Sequence, residues 1–65
     1  MKQEIVNLYK SEKNLEVKRN LLKLLNNKHL VLGLDDISHK TESLLEKIMK
    51  CRYGRNYNTV IFEIE

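Results

Sequence analysis

Apolar positions in the first half of the chain follow two helical phases that one straight helix cannot combine. At about 100° per residue, the apolar residues before position 10 share one side of a helix, and those from 15 to 25 share nearly the opposite side. The first set is Ile5, Val6, Leu8 and Tyr9, and the second is Leu15, Val17, Leu21, Leu22, Leu24 and Leu25. We therefore predict two helices with a break within 10–14, where Ser11 and Asn14 are both suitable N-caps for the second.

A short apolar run follows the second helix. That helix is predicted to end near Asn26 and Asn27, since asparagine tolerates the left-handed conformation that commonly closes a helix. The next run, HLVLGL at 29–34, is too short for a helix and contains Gly33. It is therefore predicted to be a brief buried strand.

The second half of the chain predicts a third helix and a final strand. Asp35 and Asp36 are suited to a helix N-terminus, and an amphipathic stripe follows them. Its members are Ile37, Thr41, Leu44, Leu45 and Ile48. Residues 59–65 are rich in β-branched and aromatic side chains, which predicts a strand with Val60, Phe62 and Ile64 on one face and the acidic residues on the other.

These elements define a small α+β domain spanning 1–65, in the order helix, helix, short strand, helix, strand. One alternative stays open, because Ser38 and Thr41 are potential N-caps inside the third helix. The segment from Asp36 to Cys51 is then a helix-turn-helix, with 51–53 as a strand, 54–56 as its turn and 57–64 as the return strand. That order resembles a winged helix with CRYGRNYN at the wing, although no residue motif of a particular family is matched.

The small size of the chain limits how it can be stabilised. A chain of 65 residues buries roughly 60% of the surface that its unfolded form exposes, so its core is thin. Cys51 is the single cysteine, and the two histidines lack partners at metal-ligand spacing. No disulfide, metal or other cofactor is expected, and a homodimer is a possible way to enlarge the core.

The distribution of apolar residues also indicates a compartment. The N-terminal MKQEIVNLYK has no apolar stretch of signal-peptide length, and no uninterrupted apolar run, Leu30–Leu32 included, is longer than three residues. A lone thiol fits a reducing compartment. We expect a cytoplasmic protein with no membrane partner.

The stretch CRYGRNYN at 51–58 belongs to a longer segment that is basic throughout. From 47 to 62 the chain carries four positive side chains and no acidic one. Arginine suits phosphate oxygens and tyrosine can stack on bases, so the composition fits nucleic-acid contact. A solvated turn between a helix and a strand has the same composition, and this simpler interpretation stays open.

A second basic group lies on the second helix. Residues 1–29 hold seven positive and three negative side chains. The leading hypothesis is a small regulatory protein that binds nucleic acid, and DNA is favoured over RNA as its partner. The candidate residues are Arg52, Arg55, Tyr53, Tyr57, Lys50, Lys47, Arg19 and Lys23. Acidic residues from 35 to 46 count against a recognition helix there, because they repel phosphates.

The alternative hypothesis is a protein-interaction module, such as an inhibitor or adaptor. The last strand is predicted to present an open edge to a protein partner or a second copy, with Ile61 and Glu63 at the contact. An enzyme is not expected, since Ser38, His39 and the neighbouring aspartates cannot hydrogen-bond in series along one helix. A small-molecule substrate is not expected either, because so short a chain has little room for a pocket.

Overall fold

A computed structural model of the protein describes residues 2–49, 54–56 and 58–64. Its elements are α1 (Lys2–Ser11), α2 (Leu15–Asn27), β1 (His29–Leu32), α3 (Asp36–Ile48), β2 (Gly54–Asn56) and β3 (Thr59–Glu63). The α+β class is therefore confirmed. No helix in the described ranges has the length and apolar character needed to cross a membrane.

The break between the first two helices falls where the phase change predicts it. Helix α1 ends at Ser11, and Asn14 is the N-cap of α2. The Asn14 side-chain oxygen accepts hydrogen bonds from the backbone N–H groups of Glu16 at 2.9 Å and Val17 at 3.1 Å. These bonds satisfy two of the amide donors that the start of every helix leaves unpaired.

The end of α2 differs from the prediction in which residue turns the chain. The helix ends at Asn27, but the left-handed conformation belongs to Lys28, with φ of 59°. A lysine in this conformation costs roughly 1–2 kcal/mol. The Lys28 carbonyl accepts a hydrogen bond from the Ile64 N–H at 2.9 Å, and this tie to the C-terminal segment holds the turn in place.

Helix α3 runs without a break from Asp36 to Ile48. Asp35 is its N-cap and accepts a hydrogen bond from the Ser38 N–H at 2.6 Å. The Thr41 hydroxyl, an alternative cap in the sequence, instead donates to the Ile37 carbonyl one turn back at 3.1 Å. The helix-turn-helix alternative for this segment therefore does not agree with the structure, and the winged-helix arrangement is not confirmed.

The sheet has the order β1-β3-β2, and both pairs are antiparallel. Strand β1 ends at Leu32, two residues before the predicted end. Residues 54–56, predicted as the hairpin turn, form β2 instead and pair with 59–61. The alternative strand at 51–53 lies outside the described residues.

The position of β3 corrects the prediction of an open C-terminal edge. Strand β3 is central, with β1 on one side and β2 on the other. Among the strands that the structure describes, the two edges of the sheet are therefore β1 and β2. Ile61 is half-buried and lies in register with Val31 and Gly54, and the exposed Glu63 lies opposite His29.

The core lies between the helices and one face of the sheet. Val60, Phe62 and Ile64, predicted to share one face, are all buried, and Phe62 has no solvent exposure. The other buried apolar residues are Ile5, Val17, Leu21, Leu24, Leu30, Leu32, Leu45 and Met49. A hydrogen bond of 3.0 Å from the Asn20 amide to the Thr41 hydroxyl links α2 to α3.

Candidate functional site

Two leucines of α2 from the apolar set that shares one side of the predicted helix are exposed to solvent. Leu15 is 71% exposed and Leu22 is 41% exposed, whereas Val17, Leu21 and Leu24 are fully buried. Leu15 and Leu22 are seven residues apart, which is about two helical turns, so they share one side of the helix. The buried side of α2 faces the core, and this pair is left to solvent.

The two leucines line a shallow groove between α1 and α2. Its volume is about 200 Å³, and its lining residues are Tyr9, Leu15, Lys18, Arg19 and Leu22. We call this set the α2 groove. Small-molecule sites usually enclose about 300–1,000 Å³. The α2 groove is therefore suited to receive one or two side chains of a larger partner.

A cation–π contact fixes one wall of the α2 groove. The Lys18 ammonium nitrogen lies 4.7 Å from the centre of the Tyr9 ring. Such contacts stabilise by roughly 0.5–1 kcal/mol at exposed sites. Because Tyr9 belongs to α1 and Lys18 to α2, the contact holds the two helices in register beside the leucines.

The charge around the α2 groove is positive, and one of its cations has an acidic neighbour. The Arg19 guanidinium lies 2.7 Å from a Glu16 carboxylate oxygen, and both side chains are more than half exposed. Exposed pairs of this kind contribute about 0–1 kcal/mol, so a partner carboxylate can compete for Arg19 at little cost. Lys18 and the exposed Lys23 keep the same helix cationic.

Glu12 stabilises the α1–α2 connection beside the α2 groove. One carboxylate oxygen accepts hydrogen bonds from the N–H groups of Lys13 and Asn14, both at 3.0 Å. The same oxygen lies 3.8 Å from the Lys40 ammonium on α3. The hydrogen bond from the Asn14 N–H is the largest effect on Glu12 and lowers its pKa below the usual value. Burial raises the pKa by less than this bond lowers it, and the Lys40 charge lowers it further.

The structure describes only some of the residues that were predicted to contact nucleic acid. Arg19 and Lys23 share the exposed side of α2, Lys47 is exposed in the last turn of α3, and the backbone of Arg55 lies in β2 opposite Val60. The remaining candidates lie outside the described residues: Lys50, Arg52, Tyr53 and Tyr57.

The α2 groove was not predicted from the sequence, because every leucine of α2 was grouped on one apolar side of the helix. A signal was present in the run Leu21, Leu22, Leu24 and Leu25, which covers more of the helix circumference than one buried face can hold. Leu15 gives a similar signal, because it directly follows the N-cap Asn14 at the solvent-exposed start of the helix. Tyr9, grouped with the apolar face of α1, is only half-buried.

Comparison with known proteins identifies no relative of this chain. No protein-family model matches the chain, and no significant match is found among curated proteins or solved structures. Among the described residues, no three histidine, cysteine, aspartate or glutamate side chains are grouped so as to hold a metal ion. The chemistry of the protein surface is therefore the basis for inferring its function.

Proposed function

We propose that this protein is a non-enzymatic interaction module, an adaptor or inhibitor, that binds an acidic protein segment in the α2 groove. The observation that carries the proposal is the placement of exposed Leu15 and Leu22 on either side of Arg19 along one helix face. Burial of a leucine side chain contributes about 1.5–3 kcal/mol. A partner that covers this face gains that energy, and the surrounding cations select for negative charge.

The chemistry of the α2 groove favours a protein over nucleic acid at this surface. Phosphate contacts need cations and hydrogen-bond donors, and they gain little from two exposed leucines. An amphipathic helix with apolar residues at i, i+4 and i+7 matches a pair of leucines that are two turns apart. Glutamates beside those apolar positions lie within reach of Lys18, Arg19 and Lys23.

The test of the docking proposal is a binding measurement with a designed peptide. The probe is an acidic 18-residue helix with leucines at i, i+4 and i+7 and glutamates on both flanks, labelled for fluorescence anisotropy. Leu15→Glu is expected to weaken binding about tenfold, since it removes an apolar contact and repels the acidic probe. Glutamate suits the first turn of a helix, so the fold of the variant is preserved.

Leu34 supplies a matched control because it is also an exposed leucine, 61% exposed, and lies outside α2. Leu34→Glu makes the same chemical change and is expected to alter the affinity less than twofold. A scrambled peptide of the same composition controls for charge alone. Equal losses in the two variants, equal binding of the scrambled peptide, or no saturable binding to the wild type would each rule out the α2 groove as the docking surface.

Nucleic-acid binding by the C-terminal hairpin is a second candidate function. The observation in its favour is the acid-free segment 47–62, whose residues 54–56 and 59–61 form an antiparallel pair. In this proposal the β2–β3 hairpin acts like the wing of a winged-helix protein. The positive side chains of this segment neutralise phosphates: Arg52, Arg55, Lys50 and Lys47. Tyr53 and Tyr57 stack on bases or position the nucleic-acid strand. Arg19 and Lys23 extend the contact.

A gel shift against mixed DNA and RNA at two salt concentrations tests the second function. The double variant in which Arg52 and Arg55 are both alanine is expected to bind all sequences more weakly. The slope of its log binding constant against log salt concentration is expected to decrease by about two, one for each lost phosphate contact. Replacing Lys2 and Lys10 of α1 removes the same charge from outside the candidate set and serves as the control. Binding that is absent, or that ignores salt, would eliminate this function.

A further inference from the structure

Strand β1 forms an edge of the sheet and carries neither a formally charged side chain nor a proline that would block pairing with another chain. It contacts β3 on one side, and no other strand of the described residues pairs with its other side in the order β1-β3-β2. Natural edge strands commonly carry lysine, proline or a bulge that blocks further pairing. The sequence of β1 is HLVL, with no formally charged residue and no proline.

The hydrogen-bonding pattern shows which backbone groups of β1 point to the open side. The Ile64 N–H donates to the Lys28 carbonyl, and the β1–β3 register continues that pairing through Leu30 with Phe62 and Leu32 with Val60. Because hydrogen-bonded pairs alternate along antiparallel strands, the N–H and C=O of Val31 point away from β3. Within the described part of the chain, no turn, loop or side-chain hydrogen bond reaches them.

The side chain of Val31 also lies on an open surface. Val31 is 49% exposed on the sheet face opposite the core, and it lies in register with the half-buried Ile61. Directly beyond β1, a Cβ added to Gly33 would meet nothing within 4 Å. The edge therefore combines free backbone groups, an apolar centre and open space at one end.

We propose that β1 pairs in antiparallel register with β1 of a second copy, about a twofold axis at Val31. This register places Val31 opposite Val31 and His29 opposite Gly33 of the other copy, where the open space can receive the imidazole. The two sheets become one sheet of six strands, and a continuous apolar row of Ile61, Val31, Val31 and Ile61 crosses its outer face. The core of one short chain is thin, and pairing of the two sheets adds intermolecular contacts without any new element.

A second copy fits this edge because the edge is complementary to itself. The symmetric register exchanges the N–H and C=O of both Val31 residues and brings no like charges together. The edge strand β2 lacks this property, because pairing it with itself about Arg55 would oppose two cations. The surface differs from the α2 groove, so the dimer and the docking function can be tested separately.

The test is sedimentation of the full chain and of its Val31→Pro variant from about 1 µM to 1 mM. The wild type is expected to dimerise across this range. Proline removes the outward N–H and leaves the β1–β3 hydrogen bonds intact, as edge strands allow. By symmetry two intermolecular hydrogen bonds are lost, which is expected to weaken the dimer about thirtyfold.

A second variant and a second measurement guard against a folding defect in Val31→Pro. Val31→Lys keeps the backbone donor but places two ammonium groups opposite each other, so it is also expected to favour the monomer. Amide exchange of Val31 is expected to slow as the wild-type concentration rises. A wild type that stays monomeric at 1 mM, a dimer that survives both substitutions, or a dimer that Leu15→Glu dissociates would overturn the proposal.

Discussion

Replacing Phe62 with alanine is expected to destabilise the protein by about 3–5 kcal/mol, the usual cost of removing a fully buried aromatic ring. Phe62 has no exposed surface and lies on the central strand, where it contacts the core shared by helices and sheet. A domain of 65 residues has a total stability of about 3–10 kcal/mol. The substitution therefore removes much or all of the free energy of unfolding.

Ile61 provides the matched control for this prediction. It is the neighbouring residue on the same strand, but its side chain points to the outer face and is only half-buried. Ile61→Ala is expected to destabilise the protein by about 1 kcal/mol. It removes less buried apolar surface than Phe62→Ala does, and it leaves no enclosed cavity. Urea denaturation followed by circular dichroism measures both variants. A Phe62→Ala variant as stable as Ile61→Ala would show that the core is not organised around β3.

The helices could be predicted from the sequence because their signals are local. The opposed phases of the first two apolar sets require a break, and Asn14 caps the helix that follows it. Asp35 does the same for α3, and the alternation of Val60 and Phe62 identifies β3. Each of these features depends on side chains within about four residues of one another.

The order of the strands could not be predicted in the same way. Whether β3 is an edge or a centre depends on pairing across more than 25 residues of intervening chain, and no local pattern encodes that choice. The hairpin shows the same limit, since Gly54 and Asn56 favour a turn in isolation yet pair with β3 in the structure. Pairing with a neighbouring strand outweighs local preference there.

The candidate docking site was hidden for a related reason. Periodicity shows that Leu15 and Leu22 are apolar and helical, but only the tertiary arrangement shows that α1, α3 and the sheet leave them uncovered. The sequence shows that Lys18 belongs to the basic group of the second helix. Its contact with Tyr9 depends on how α1 packs against α2. A surface formed by two helices requires their relative placement, and the sequence alone does not supply it.

Thr41→Val is expected to destabilise the protein by about 2 kcal/mol, although it hardly changes the volume of a fully buried side chain. The Thr41 hydroxyl accepts a hydrogen bond from the Asn20 amide at 3.0 Å and donates to the Ile37 carbonyl at 3.1 Å. Valine removes both bonds and leaves the half-buried Asn20 amide without this acceptor. Two intramolecular hydrogen bonds at about 1 kcal/mol each account for the expected loss.

Combining Thr41→Val with Asn20→Leu gives the sharper test of the α2–α3 link. Removing both polar partners leaves no stranded donor and adds apolar contact between the helices, so the double variant is expected to be more stable than Thr41→Val alone. Thr41→Ser, which keeps the hydroxyl and loses one methyl group, is expected to cost about 1 kcal/mol. Thermal and urea unfolding of Thr41→Val, Asn20→Leu and the double variant, compared with the wild type, measure the coupling, and the same measurements are made on Thr41→Ser. A double variant less stable than Thr41→Val would show that Asn20 stabilises the fold through contacts other than Thr41.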